Sequence, residues 1–243
     1  MSAMPRSSWR QRAKGVVGWA MPLRMFIAGG PVAGGRICLT FDDGPHPDNS
    51  ARVLDVLGEH GVKATFFVIG ERAARHPELV ARAAREGHVV GNHTYFHLDP
   101  KKTSAVALIR EVRQTRRLLA ELLGETSDLF RPPLGAVTAA KLLGLWAVRQ
   151  TVVLWNSDPL DYRAQSADCV RSWFEAHPLA PGALVLMHDD RPFAAQVLPE
   201  LIRSARDRGL TFTTVRHWTH GEPWETAGGL VADPDASPVA EVS

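Results

Sequence analysis

The chain has 243 residues, 45% of them hydrophobic and 22% charged, with 20 glycines and 17 prolines, a composition that excludes fibrous and largely disordered proteins. At this length a domain buries roughly 70–75% of the surface its unfolded chain exposes, so the core needs no disulfide framework. The 28 basic and 26 acidic residues leave a net charge of +2, which gives no electrostatic footprint for a nucleic-acid partner. The two cysteines, Cys38 and Cys169, belong to no C-x-x-C pair and have apolar neighbours, so both read as buried free thiols.

In chain order, residues 1–35 read as an N-terminal extension. Arg6, Arg10, Arg12 and Lys14 precede a short apolar run that Arg24 interrupts. A bilayer span needs ~20 apolar residues, so no transmembrane span is expected, and a basic leader of this kind suits at most peripheral contact with a membrane surface. Strand-like runs follow at 37–41, 64–69, 89–91, 129–131, 151–155, 183–187 and 211–215. Helical patterns lie between most of them. The first carries Val53, Leu54 and Leu57, with Asp48 or Asn49 as its cap and Gly61 as its stop; the second starts at Pro77 and stops at Gly87. The longest places Ala105, Leu108, Ile109, Val112, Leu119, Leu122 and Leu123 on one face before Gly124, and the last runs from Val197 through Leu201 and Ala205 to Gly209. Residues 219–243, rich in Gly, Pro, Asp, Glu and Ala without periodicity, read as a flexible tail. Alternating strands and helices imply parallel pairing through crossover helices. The expected class is therefore α/β, a single domain over 36–218, with about seven strands favouring a closed or partly closed (β/α) barrel.

Polar residues collect where the strands end. Asp42 and Asp43 follow the first strand, Asn92 and His93 the third, Arg131 closes the fourth, Asn156 and Asp158 follow the fifth, and His188 and Asp189 the sixth. In a parallel barrel those ends share one mouth, the usual seat of an active site. His93 and His97 stand four residues apart, a spacing that on a helical turn puts both imidazoles on one face. A carboxylate from Asp42-Asp43 would complete a site of two imidazoles and one oxygen ligand with open positions, which is catalytic rather than structural in type. A plain turn accounts for Gly44 and Pro45, but two adjacent acids repel unless a cation holds one of them.

The segments Thr40-Phe41-Asp42-Asp43-Gly44-Pro45, His93-Thr94-Tyr95-Phe96-His97, Arg131-Pro132-Pro133-Leu134-Gly135, Asp158-Pro159-Leu160-Asp161-Tyr162 and Leu184-Val185-Leu186-Met187-His188 resemble, in order and spacing, the five motifs of the polysaccharide deacetylases, carbohydrate esterase family 4. The resemblance spans residues 36–216. It implies a distorted (β/α)7 barrel that holds a divalent metal, usually zinc, and hydrolyses an N-acetyl or sometimes O-acetyl group on a sugar. Carried over residue by residue, it makes Asp43, His93 and His97 the metal ligands, Asp42 the general base and His188 the general acid. Arg131 would pair with Asp42, Asp161 would orient His188, and Asp158 would support that motif. Leu134 stands where the family commonly has Tyr, and Tyr162 where it commonly has Trp. The Leu134 N–H, after Pro132, remains as an oxyanion donor and Tyr162 as a pocket wall. Both changes reduce the aromatic surface for sugar stacking and leave room for a substrate other than plain chitin or peptidoglycan.

The function implied is removal of an acetyl group from an N-acetylated sugar of an oligosaccharide, polysaccharide or glycoconjugate. Two alternatives stay open: a hydrolase of another amide or an O-acetyl ester, and a non-catalytic saccharide-binding relative, which would need neither Asp42 nor His188. Zinc suits the ligand set best, and cobalt, nickel or iron also suit it. The expected location is cytoplasmic or peripheral at the membrane, with export as the alternative.

Overall fold

The computed structural model describes residues 24–125 and 127–221, so the basic leader and most of the expected tail, including Trp224, lie outside the described residues. Among the described residues eight strands form one sheet: β1 (Phe26–Ile27), β2 (Arg36–Asp42), β3 (Thr65–Val68), β4 (Val89–Asn92), β5 (Leu129–Phe130), β6 (Thr151–Val153), β7 (Leu184–His188) and β8 (Thr211–Thr213). Their order is β1-β6-β5-β4-β3-β2-β7, with β8 added on β2, and every pair is parallel. The α-helices among the described residues are α1 (Asn49–Glu59), α2 (Gly70–Arg75), α3 (Pro77–Arg85), α4 (Ala105–Leu123), α5 (Ala139–Ala147), α6 (Ala167–Ala176), α7 (Phe193–Asp207) and α8 (Val215–His220).

The two-residue period of a strand sorts its side chains into two cores. On β2, Ile37, Leu39 and Phe41 face outward and pack under Val53, Leu54 and Leu57 of α1 and Val197, Leu198 and Leu201 of α7. Cys38, one position on, faces inward. It shares a cluster with Ile27, Phe67, Val89, Leu129, Val153 and Leu184, so each of β1 to β7 contributes one side chain to this interior layer. Val215 and Trp218 from α8 complete that layer. The curled sheet is drawn together at its edges: Gly30 N donates to Gly182 O at 2.9 Å and Leu186 N to Ser157 O at 2.9 Å. The Asn156 amide adds bonds to Gly182 O at 3.1 Å and from Leu184 N at 2.7 Å. The architecture is the distorted (β/α)7 barrel expected.

All seven predicted strands form, and so do the four predicted helices. Gly124 closes α4 in the left-handed region at φ 74°, which a side chain would strain, and Pro77 opens α3. Four further helices were not anticipated, of which α5 and α6 carry caps from Thr138 and Ser166. Helix α6 corrects the reading of Cys169. Ala167 and Val170, three residues apart, take the inner face, and Cys169 is left exposed, whereas Cys38 is buried; both are free thiols. The fold also reaches beyond the expected boundaries. Strand β1 lies within the expected N-terminal extension, and Thr219 and His220 continue α8, with His220 Nε2 2.9 Å from the Asp128 carboxylate.

Candidate active site

Strand β2 delivers Asp42 and Asp43 to the mouth in different backbone conformations. Asp42, still in extended backbone, points into the barrel; Asp43 stands at φ 71°, in the left-handed region, before the cis Gly44-Pro45 bond. Beyond β4, His93 to His97 form an irregular loop and not the helical turn their spacing suggested. Thr94 and His97 have φ of 69° and 53°. Side-chain oxygens take the amide protons that a helix would give to its own carbonyls. Asn92 Oδ1 accepts from Thr94 N at 2.9 Å, Glu111 Oε2 from Tyr95 N at 3.1 Å and Phe96 N at 2.7 Å, and Thr94 Oγ1 from His97 N at 3.0 Å. The imidazoles still converge, with ring centroids 5.0 Å apart.

His93 Nδ1 lies 2.7 Å from the Arg131 carbonyl. A carbonyl only accepts, so Nδ1 carries a proton and Nε2 is the ring nitrogen that faces Asp43. Asp43 Oδ1 is 3.4 Å from His93 Nε2 and 3.4 Å from His97 Nε2. One donor atom from each of these three residues falls within 4.8 Å of the others. Asp43 Oδ1 is buried and has no hydrogen-bond partner, an orphaned acceptor facing two imidazole nitrogens 3.4 Å away. Two imidazoles and one carboxylate so arranged fit a divalent metal with open coordination positions. Burial would raise the Asp43 pKa, but His93, His97 and His188 around it hold the carboxyl far below its usual range. Burial and the neighbouring His93 lower that of His97; for His93, Asp42 and Asp43 outweigh burial and raise it.

Asp42 is held from behind. The fully buried Arg131 guanidinium gives Nη1 to Asp42 Oδ1 at 2.7 Å and to Thr40 Oγ1 at 2.7 Å, and Nη2 to Leu154 O at 2.9 Å, while stacking 4.2 Å over the Phe67 ring. The other oxygen, Asp42 Oδ2, lies 3.8 Å from His93 Nε2. On the neighbouring strand β7, where His188 is the register partner of Asp42, both oxygens of Asp161 hold His188: Oδ1 pairs with Nδ1 at 2.7 Å, and Oδ2 accepts the backbone N–H at 2.7 Å. Burial alone would lower the His188 pKa. The Asp161 bond and charge, with Asp42 and Asp43 further off, push it up to about 9. Asp158 accepts from Trp155 Nε1 at 3.2 Å and Leu160 N at 3.0 Å, which fixes the turn carrying Asp161 and Tyr162. The Tyr162 ring stands edge-on to His188 with centroids 5.4 Å apart. Leu134 follows Pro132 in a short turn at φ 55° and is 72% exposed.

Contacts therefore join Asp42 with Arg131 and His93, Asp43 with His93 and His97, and His188 with Asp161 and Tyr162. Two residues outside the five motifs support the site, and the first carries no sequence signal of its own. Glu111, on the buried face of α4, reads as an acidic residue among apolar ones until its carboxylate is seen to hold the histidine loop. Asp189 is buried behind Gly44, where a Cβ would meet its carboxylate oxygens at 2.2 and 2.4 Å; burial pushes its pKa up to about 7, and the Ser50 hydroxyl donates to Oδ2. Residues 29–150 match the family model for polysaccharide deacetylase. The chain is 34% identical over 192 residues to a peptidoglycan-N-acetylglucosamine deacetylase of Bacillus cereus (strain ATCC 14579), covering 76% of this chain and 69% of that protein. It is 38% identical over 180 residues to a chitooligosaccharide deacetylase of Rhizobium leguminosarum bv. trifolii, covering 74% and 80%. Among solved structures, a peptidoglycan N-acetylglucosamine deacetylase bound to 4-naphthalen-1-yl-N-hydroxybenzamide superposes with a TM-score of 0.76 at 31% identity, over 80% of this chain and 92% of that one.

Proposed function

The chain belongs to the polysaccharide deacetylase family, and on that premise we propose that it is a metal-dependent hydrolase removing the acetyl group from an N-acetylated sugar of an oligosaccharide, polysaccharide or glycoconjugate. One observation carries the reading: a three-ligand metal donor set stands beside a carboxylate and an imidazole at the ends of two paired strands, each fixed by a buried partner of opposite charge. Asp43, His93 and His97 would hold the ion, zinc by preference, with cobalt, nickel or iron able to replace it. When bound, the ion supplies a Lewis acid for the acetyl carbonyl and the attacking water.

The remaining chemistry falls to side chains. Asp42 has Oδ1 engaged by Arg131, which leaves Oδ2 to take a proton from the water that attacks the acetyl carbon. His188 gives Nδ1 to Asp161, which leaves Nε2 to protonate the sugar nitrogen as the C–N bond breaks and its electron pair goes to the departing amine. The backbone N–H of Leu134, two residues after Pro132, donates to the developing oxyanion, and Tyr162 walls the pocket next to His188. An amine is a poorer leaving group than an alcohol, so a firmly held acid at His188 favours an amide over an O-acetyl ester. The exposed Leu134 and the phenol in place of an indole support a substrate that is not plain chitin or peptidoglycan.

The test is acetate release by the purified protein from N-acetylglucosamine oligomers and from an O-acetylated sugar, with metal analysis of the same sample. The expected result is bound metal and acetate chiefly from the amide. Acetate only from the ester contradicts the amide reading, and neither metal nor acetate leaves the saccharide-binding alternative. A cytoplasmic or membrane-peripheral location is part of the proposal; its support is the cluster Arg6, Arg10, Arg12 and Lys14, and membrane fractionation tests it.

A further inference from the structure

Helix α2 touches both halves of the metal donor set. Its first two amides, Gly70 N and Glu71 N, donate to the carbonyls of Thr94 and Tyr95 at 2.9 Å each, between the two histidine ligands. On the same helix, Arg72 Nη1 donates to the Asp43 carbonyl at 2.6 Å and to Asp190 Oδ2 at 3.0 Å. Asp190 is tied in turn, because Asn49 Nδ2 donates to its carbonyl at 2.9 Å. The turn between the ligand and its brace is equally confined, with Ile69 N on Gly44 O at 2.9 Å and Asp189 N on Asp42 O at 3.3 Å.

The confinement answers a specific need. Asp43 sits at φ 71°, a conformation that disfavours any residue with a Cβ and persists only where its surroundings over-determine it. That backbone turn is what sets its carboxylate against both imidazoles while Asp42, its neighbour, points into the barrel. We infer that Arg72 is a positioning residue of the metal site: anchored on Asp190, its guanidinium holds the Asp43 peptide in the left-handed conformation that keeps Oδ1 facing His93 and His97. The inference rests on the proposed metal site and assigns a role to a residue outside all five motifs. The competing account is an ordinary surface ion pair. Arg82 provides the comparison, since it pairs with Asp55 and Glu86 at 2.6 Å each and its side chain is 29% exposed against 37% for Arg72, but it touches nothing near the site.

The test is the affinity of chelator-stripped protein for zinc and for cobalt, by competition titration. Arg72→Ala is expected to weaken both by about 10–100-fold, the usual loss when a group behind a metal ligand is removed. Arg72→Lys should fall between parent and Arg72→Ala, and Arg82→Ala should bind as the parent does. Asp190→Asn, which keeps the shape of the anchor and removes its charge, should weaken binding several-fold and serves if Arg72→Ala does not fold. Affinity within twofold of the parent in Arg72→Ala, or in Asp190→Asn where the alanine variant does not fold, overturns the inference; so does an equal loss in Arg82→Ala. A parent that binds neither ion overturns the metal reading itself, and this inference with it.

Discussion

Asp42 and Asp43 are chemically identical and adjacent, and the backbone alone separates their roles. The left-handed φ of Asp43 is one that Asn also tolerates, so Asp43→Asn keeps the turn and removes only the full charge that offsets a cation. Bound metal should fall and activity with it. Asp42→Asn should keep the metal and lower turnover by roughly 10²–10⁴-fold, since the proton acceptor for water is gone; thermal stability should drop as well, because the buried Arg131 charge loses its carboxylate. Metal content and acetate release of the two variants check this, and loss of metal from Asp42→Asn alone would exchange the two roles. His188 yields a pH signature. Its folded pKa of about 9 exceeds the ordinary 6.5, so its contribution to stability is fully present below about 6.5 and is lost as pH rises through about 9. Protonated His188 is also the acid form, so activity should decline on the alkaline side, at a pH that a bound cation's charge moves downward from 9. Asp161→Asn should move that limb a further one to three units, roughly, toward acid; an unmoved limb in the pH–rate curve would show that another group sets it.

Elements decide how far those residues converge, and the loop between His93 and His97 is the most demanding. Its two left-handed residues and its borrowed acceptors make it dependent on α4, which supplies Glu111 from a buried turn. Glu111→Ala leaves two amides without their carboxylate and is expected to cost roughly 2–3 kcal/mol, about 4–12 °C in the thermal midpoint for a domain of this size, with weaker zinc binding. Glu111→Gln keeps one acceptor oxygen and should lie between. Calorimetry with and without zinc measures both effects, and a variant with parental stability and affinity would show that the loop holds itself. Four residues of separation suggested a helical turn, and the histidines met by another route. The spacing carried the chemistry, whereas the conformation depended on Asn92, Thr94 and Glu111, whose side-chain acceptors are set by tertiary contact. Helices α1, α3, α4 and α7 were legible because glycine stops and apolar stripes mark them. Helix α2 was not, since six residues are too few to show a period.

The barrel as a whole converts strand order into a site. Each strand from β1 to β7 gives one side chain to the interior layer around Cys38, and Asp42, His93, Arg131 and His188 stand at or just beyond the C-terminal ends of β2, β4, β5 and β7. That gathering was readable from the sequence, as polar residues recurring at the ends of apolar runs, because a parallel sheet with crossover helices leaves them no other place to meet. Strand β1 escaped notice because two residues hold no pattern, and its membership comes from the pairing of Phe26 and Ile27 with Val152 and Val153. On the proposed function, one bound metal at Asp43, His93 and His97 makes this barrel a deacetylase. The most direct measurement is acetate release from N-acetylglucosamine oligomers by the parent protein before chelation, after exhaustive chelation, and after zinc is restored. Three protein ligands hold a metal less securely than a closed four-ligand site, so activity should vanish with the metal and return with it; full acetate release from protein shown to contain no metal would contradict the claim.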